Sequence, residues 1–444
     1  MSQQPEPATA GNTNLETDVG SVFVSNYPPY SFWGEEQLTA AVELLDSPPA
    51  TASPLGLYLH IPFCRKRCKF CYFRVYTDKN FDEIETYLNA LASEVEAYAA
   101  KPMIGGRPLE FVYFGGGTPS YISAKHLRKL AARLQAAIPW DGVREAAFEC
   151  EPGTLTKSKL EAIREIGITR LSLGIENFDD EILQENGRAH LSREIGRCMP
   201  WIDELDFPQL NIDLIAGMVG ETWDTWRETV RKTVDLGADS VTIYQLELPF
   251  NTRYSKQFLD GSLDRPLADW DDKRAWQNYA FEELEKVGYE VSSAYTMVKS
   301  NEECPFIYRN SVWQGCDLLG TGVASFSHLQ GYHLQNVDGW GEYLAQANEG
   351  VLPLGRAYET NADERLTREL ILQLKTGGIT TDYFSNKFDV DVLARFGPAW
   401  QKLEQEGMLE LGANEVHLTR QGLLRVDALL PEFYEEKHRN ARYT

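Results

Sequence analysis

The sequence predicts an α/β fold: a partial (β/α)6 barrel with an N-terminal strap and a C-terminal, mostly helical, winged-helix-like domain. Two patterns carry this reading. Between about residues 55 and 300, six short apolar runs alternate with amphipathic stretches, which argues for parallel strands with helices outside. From about residue 357 the alternation gives way to helices and one hairpin-like segment. A third observation locates function, because the polar motifs fall at the C-terminal ends of the runs, where parallel α/β folds place their sites.

The elements follow in order. Residues 1–21 are polar, with neither a basic nor an apolar leader region, and read as a disordered tail rather than a signal peptide. Residues 22–54 carry SNYPPYSFWGEE, whose prolines among aromatics suggest an ordered strap rather than a helix. The barrel, residues 55–300, draws its strands from LYLHI (57–61), EFVYF (110–114), EAAFE (145–149), RLSLG (170–174), LNIDLI (210–215) and SVTIYQ (240–245). Residues 301–356 complete the barrel. In the last domain, 357–444, DERLTRELILQLKTGG and VDVLARFGPAWQKLEQEG each read as one helix. MLELGANEVHLT reads as a hairpin turning at 412–414, and RQGLLRVDALL as a final helix. Both helical segments carry at least as many acids as bases, which favours a cover or docking domain over a DNA-binding one.

A chain of 444 residues is long enough for two or three domains with a sizeable core. The net charge of −23 argues against nucleic acid as a partner. No apolar stretch is long enough to span a bilayer. Seven irregularly spaced cysteines favour a reducing, cytoplasmic setting and metal use over a disulfide framework.

The most informative motif is CxxxCxxC: Cys64, Cys68 and Cys71, directly after the first apolar run. Three thiolates on one loop can hold three corners of a [4Fe–4S] cluster and leave one iron open, whereas four protein ligands are usual. The spacing differs from the paired CxxC of structural zinc sites. Arg65, Lys66, Arg67, Lys69, Arg74 and Lys79 surround the loop with only Asp78 opposing. They read either as a solvated loop or as cations facing anionic groups. One strand later, Gly115-Gly116-Gly117-Thr118-Pro119 supplies glycines that let backbone approach a ligand. Asp213 and Glu149 can accept hydrogen bonds from hydroxyls or an ammonium, and Arg188 can clamp a carboxylate. Each also has an ordinary structural reading as a strand-end, core-pairing or surface group.

HIPFCxxxCxxC, YFGGGTP, RLSLGIENFDDEIL, NIDLIAGM and DLLGTGVASFSH together resemble the oxygen-independent coproporphyrinogen III oxidase family of radical S-adenosylmethionine (SAM) proteins. That family includes the anaerobic decarboxylase of heme synthesis, heme chaperones and class C methyltransferases. The resemblance runs from about Tyr27 to the C-terminus. It implies that Cys64, Cys68 and Cys71 hold the cluster, that Tyr58, Gly116 and Glu149 contact the SAM on the open iron, and that Phe326 lines its site. It further implies a second SAM against Phe70, Gly117, Thr118, Glu176, Arg188 and Asp213. The implied chemistry generates a 5′-deoxyadenosyl radical that takes a hydrogen from a propionate, with loss of CO₂ leaving a vinyl group. The implied partners are a tetrapyrrole and a reductant such as flavodoxin or ferredoxin, and the implied state is a monomer.

The choice of family member stays open. The SNYPPY segment and the YRNSVWQGCDLLGTGVASFSHLQGYHLQN stretch resemble the oxidase. Phe73 stands where the oxidase has a further cysteine, Glu176 where it has Gln, and Gly217-Met218-Val219 where it has GLP. Those departures fit a methyltransferase acting on a planar ring. The chaperones' HNxxYW motif is only partly echoed by Arg309-Asn310-Ser311-Val312-Trp313, and His60 reads as structural. Cys150, Cys198, Cys304 and Cys316 read as small core residues, with Cys316 the one to test as a substrate-side thiol. Trp313 and Tyr244 are candidates to stack on a flat substrate.

Overall fold

The computed structural model describes residues 19–441 except 266, 302 and 440, so most of the expected N-terminal tail lies outside the described residues. The six expected strands are all present: β1 (Leu55–Ile61), β2 (Leu109–Gly116), β3 (Glu145–Cys150), β4 (Arg170–Glu176), β5 (Gln209–Ala216) and β6 (Ser240–Gln245). They pair in sequence order and in parallel. One face of these strands buries apolar side chains, among them Leu57, Leu59, Ile61, Phe114, Phe148, Leu171 and Ile243, while the other carries Tyr58, Tyr113, Glu149, Ser172 and Asp213.

Six further strands extend the sheet: β7 (Glu290–Ser293), β8 (Thr296–Val298), β9 (Asp317–Thr321), β10 (Phe326–Leu329), β11 (Tyr332–Asn336) and β12 (Leu354–Glu359). The order is β12-β11-β10-β9-β1-β2-β3-β4-β5-β6-β8-β7. Strand β9 runs parallel to β1, giving a seventh parallel strand, while the outer strands are antiparallel. The helices between strands start and stop on local chemistry. Asn80 and Thr222 cap Phe81–Ala99 and Trp223–Leu236, and Gly237 ends the latter in the left-handed conformation.

The strap is not helix-free. After a 3₁₀ turn at Tyr30–Phe32, residues Leu38–Leu45 form a helix that buries Ala41 and Leu45. Gly34 ties the strap to β12 through paired backbone bonds with Ala357, at 3.1 and 2.8 Å.

The C-terminal region contains the expected hairpin, β14 (Leu409–Leu411) with β15 (Glu415–Leu418), and β13 (Gly378–Thr380) adds a third strand. Two expected helices are broken. VDVLARFGPAWQKLEQEG divides into Val392–Arg395 and Gly397–Gln405, because Pro398 has no N–H and suits the first turn of a new helix. RQGLLRVDALL divides into Arg420–Leu423 and Val426–Leu429, followed by a 3₁₀ turn at Leu430–Phe433. Gly422 lies against the Met408 backbone, where a side chain has no room, and Arg425 occupies the break. Among the described residues no helix is long and apolar enough to cross a membrane, and all seven cysteines are free thiols.

Candidate active site

The cysteine loop leaves the C-terminal end of β1 and is held at its base. Tyr76 N donates to Pro62 O at 2.7 Å and Cys64 N to Tyr76 O at 3.0 Å. The β1–β2 register places Ile61 beside Gly116, so the GGGTP turn lies against the start of the loop. There Gly117 N donates to Ile61 O at 2.9 Å and Thr118 N to Phe63 O at 2.8 Å. A Cβ on Gly117 would stand 2.9–3.0 Å from backbone atoms of Ile61, Pro62 and Phe63, so the close approach requires glycine.

Cys64, Cys68 and Cys71 all line one cavity of about 450 Å³. Hydrogen-bond donors stand on two of the sulfurs: Thr118 Oγ1 lies 3.3 Å from Cys64 Sγ, and Arg188 Nη1 lies 3.4 Å from Cys68 Sγ. Burial pushes the Cys64 thiol up to about 11 and Cys71 up to about 12. A metal reverses that preference, since the thiolate is the ligand form. Three unpaired thiols on one loop, facing one cavity and supplied with donors, are a donor set that fits an iron–sulfur cluster with one open iron.

Behind the thiols stands an acidic cradle. Glu149 accepts from Tyr113 Oη at 2.8 Å and from Gly116 N at 3.2 Å, and burial raises its carboxyl to about 7. Asp213 accepts from Ser172 Oγ at 2.7 Å and Asn211 Nδ2 at 2.9 Å, and burial raises it too. Glu176 follows a register shift in the β4–β5 pairing and holds φ 64°, a conformation uncommon outside glycine. Its carboxylate lies 3.4 Å from Arg188 Nη2, and burial raises it to about 7. Arg188 Nη2 also donates to Gly174 O at 2.7 Å, so this guanidinium joins β4, Glu176 and the cysteine loop.

The cavity lining thus gathers Phe70, Gly116, Gly117, Thr118, Glu149, Glu176, Arg188 and Asp213 with the three cysteines. Tyr58 stands outside that lining, stacked on the lining residue Tyr113 with centroids 5.8 Å apart. Phe326 also lies outside it, 44% exposed at the start of β10 and edge-on to Trp33. Tyr244 lines the cavity, whereas Trp313 lies outside it under Arg309. Cys316 is buried against Phe111 and Ile307, away from the cavity, and Cys150 lines it.

Much of the basic window serves the protein itself. Lys69 pairs with Glu185 at 2.7 Å, Arg74 with Asp338 at 3.0 Å and Lys79 with Glu83 at 3.1 Å. Lys66 and Arg67 remain on the cavity wall. The lining also holds residues that local sequence did not single out: Glu247, Trp270, Arg274, Arg425 and Asp427.

The radical SAM superfamily profile matches residues 58–233, and the HemN C-terminal domain profile matches residues 361–425. The chain thus carries a radical SAM domain and a HemN C-terminal domain. Its cofactors are accordingly a [4Fe–4S] cluster and SAM. The chain is 26% identical to the heme chaperone HemW of Bacillus subtilis, over 85% of this chain and 99% of that one. It is equally 26% identical to the oxygen-independent coproporphyrinogen III oxidase of Synechocystis, over 84% of this chain and 83% of that protein. The fold matches the radical SAM coproporphyrinogen III oxidase HemN of Escherichia coli with a TM-score of 0.78 and 22% identity, covering 93% of this chain and 96% of that one.

Proposed function

We propose that this protein is a cytoplasmic oxidoreductase that converts coproporphyrinogen III propionates to vinyl groups by oxidative decarboxylation. Cys64, Cys68 and Cys71 are its cluster ligands in this reading. One observation carries it: the three-thiol loop opens into a single cavity with an acidic cradle at one wall and guanidinium groups at another. When bound, the cluster and SAM supply a 5′-deoxyadenosyl radical able to take hydrogen from an unactivated carbon. Each propionate then gives up one hydrogen atom, one CO₂ and one electron, the last to an external acceptor.

The chain's own residues bind and orient. Glu149 and Asp213 offer buried carboxylate oxygens to the ammonium and ribose hydroxyls of SAM, with Gly116 and Thr118 alongside. Tyr58 backs this wall through Tyr113. Arg188 and Glu176 together offer a donor and an acceptor to a second SAM, flanked by Phe70 and Gly117. Charge held away from bulk solvent acts strongly because the local dielectric is low. Phe326 is assigned to the SAM side on resemblance alone.

The heme chaperone reading is supported by the match that spans 99% of the Bacillus HemW chain. Against it, six of the seven histidines are buried. Among them, His190 is engaged with Glu151 and Ile175 O, and His333 with Tyr27 O. Histidine ligation of heme would fall to the exposed His417 on the wing.

The test is anaerobic reconstitution with SAM, dithionite and coproporphyrinogen III, followed by mass spectrometry. CO₂ loss together with 5′-deoxyadenosine, both abolished in Cys64→Ala, is the expected result. SAM cleavage with the porphyrinogen unchanged would sink the decarboxylase reading. Formation of S-adenosylhomocysteine would redirect it to methyl transfer, and heme retention without SAM cleavage to the chaperone.

A further inference from the structure

The cavity wall opposite in chemistry to the acidic cradle comes from two segments far apart in sequence. Arg274 projects from the second turn of the helix Trp270–Lys286, and Arg425 from the break between two short C-terminal helices. Both line the cavity, beside Trp270. They share one carboxylate: Asp271 Oδ1 lies 3.6 Å from Arg274 Nη1 and 3.6 Å from Arg425 Nη2. Those distances are too long for hydrogen bonds. Asp271 is itself 48% exposed, so it offsets the pair weakly.

The other acids on this side are already engaged. Asp269 accepts from Asp272 N at 2.8 Å as the helix cap. Glu247 accepts from the backbone N–H groups of Val22 and Phe23, both at 3.0 Å. Asp427 pairs with Lys375 at 2.6 Å and accepts from Val24 N at 3.0 Å. Arg274 Nε is buried and has no hydrogen-bond partner. Among the described residues the two guanidinium groups have no ion-pair partner besides this one half-exposed acid. That arrangement is stabilised by a further anion, and a planar carboxylate matches the guanidinium fork.

We propose that Arg274 and Arg425 form a carboxylate clamp for the substrate, with Trp270 flanking its planar body. The cavity is then two-sided. The cysteine and carboxylate wall takes the cationic cofactor, and the arginine wall takes the acid arms of the substrate. The substrate class that fits is a flat or apolar body bearing at least one carboxylate. This clamp deepens the proposed function and rests on its reading of the cavity as the substrate site.

The test uses full-length, cluster-reconstituted protein and fluorescence titration with coproporphyrin III and with its tetramethyl ester. The acid is expected to bind about tenfold or more tightly than the ester, as expected for charge-assisted hydrogen bonds. The double variant R274Q/R425Q should abolish that preference while still binding the ester. R274K/R425K, which keeps the charge and loses the fork, should retain part of it and guards against a folding artefact. Equal binding of acid and ester by the unaltered protein, or an undiminished preference in R274Q/R425Q, overturns the clamp and leaves the tetrapyrrole reading standing.

If neither porphyrin binds the unaltered protein, the tetrapyrrole reading fails, and the clamp is decided by glutarate. Glutarate should protect Arg274 and Arg425, but not the exposed Arg193, from phenylglyoxal in peptide mapping by mass spectrometry. Absence of that protection overturns the clamp as well.

Discussion

Arg188 places Nη1 3.4 Å from the sulfur of Cys68, while its Nη2 stands 3.4 Å from the Glu176 carboxylate. One buried guanidinium therefore connects the end of β4 to the cysteine loop. Glu176 reaches it from a left-handed backbone position, φ 64°. Strained positions of this kind are retained where the surroundings hold them and cluster at functional sites.

Removing one partner of this pair should cost more than removing both. Both side chains are nearly buried, at 11% and 13% exposure, so Arg188→Met leaves a carboxylate without its counter-charge. The expected loss is about 3 kcal/mol in urea unfolding. The double variant R188M/E176Q should recover most of it, because the stranded charge is gone. A double variant no more stable than R188M would show that Glu176 does not depend on Arg188.

Glu94 sets a pH dependence outside the cavity lining. It is buried in the helix Phe81–Ala99 and accepts from Tyr343 Oη at 2.7 Å, Gly322 N at 2.8 Å and Asn336 Nδ2 at 2.6 Å. Burial still raises it from 4.5 to about 7. Between those pH values the unfolded chain releases the proton while the native protein keeps it. The native state then binds more protons, and stability falls as pH rises. The span corresponds to roughly 3 kcal/mol. Chemical unfolding at pH 5 and pH 8 should therefore show the unaltered protein losing ground to Glu94→Gln at the higher pH. A difference between the two proteins that stays constant with pH would reject the assignment.

Two glycines should respond in opposite directions to the same substitution. Gly117 meets the backbone of 61–63 at 2.9–3.0 Å, and backbone cannot move aside cheaply. Gly117→Ala should lower both the melting temperature and the iron bound per chain. Gly196 lies within the helix Ser192–Leu205, with nothing near its missing Cβ. Gly196→Ala should stabilise by about 0.5–1 kcal/mol through helix propensity and a less flexible unfolded chain. Differential scanning calorimetry and iron analysis read both effects.

The parts legible in the sequence are those written in local pattern. Strands β1 to β6 each bury an apolar face in the core, so their short apolar runs stand out between amphipathic helices. The cysteine loop and the GGGTP turn are contiguous motifs, and strand register brings them together. Strand β9 was harder to read, because its five residues lie in a segment rich in glycine. It joins β1 through the register that sets Tyr58 against Gly320, with Phe326 backbone crowding that glycine. The helix Leu38–Leu45 was hidden by the prolines before it. Arg274, Arg425, Glu247 and Asp427 carry no local signal, since only the tertiary fold brings segments near 247, 274 and 425 to one cavity. The basic window left two readings open for the related reason that charge on a loop does not reveal its partner: Lys69, Arg74 and Lys79 each have an acid nearby, while Lys66 and Arg67 line the cavity.

Glu149 provides the sharpest separation of cluster from cofactor. It makes no contact with a cysteine sulfur in the structure; its partners are Tyr113 and Gly116 N. Glu149→Gln preserves size and removes the charge. Iron and sulfide per chain should stay unchanged, while SAM affinity falls about tenfold to a hundredfold, the range for a charge-assisted hydrogen bond. The unaltered protein should also bind SAM less tightly as pH drops below about 7, where burial leaves the carboxyl protonated. The Gln variant should lack that dependence, because it has no proton to gain. Equilibrium dialysis with labelled SAM across this pH range measures both effects. Equal affinity in the two proteins at pH 8 would remove Glu149 from the SAM contact and leave Asp213 as the buried acceptor.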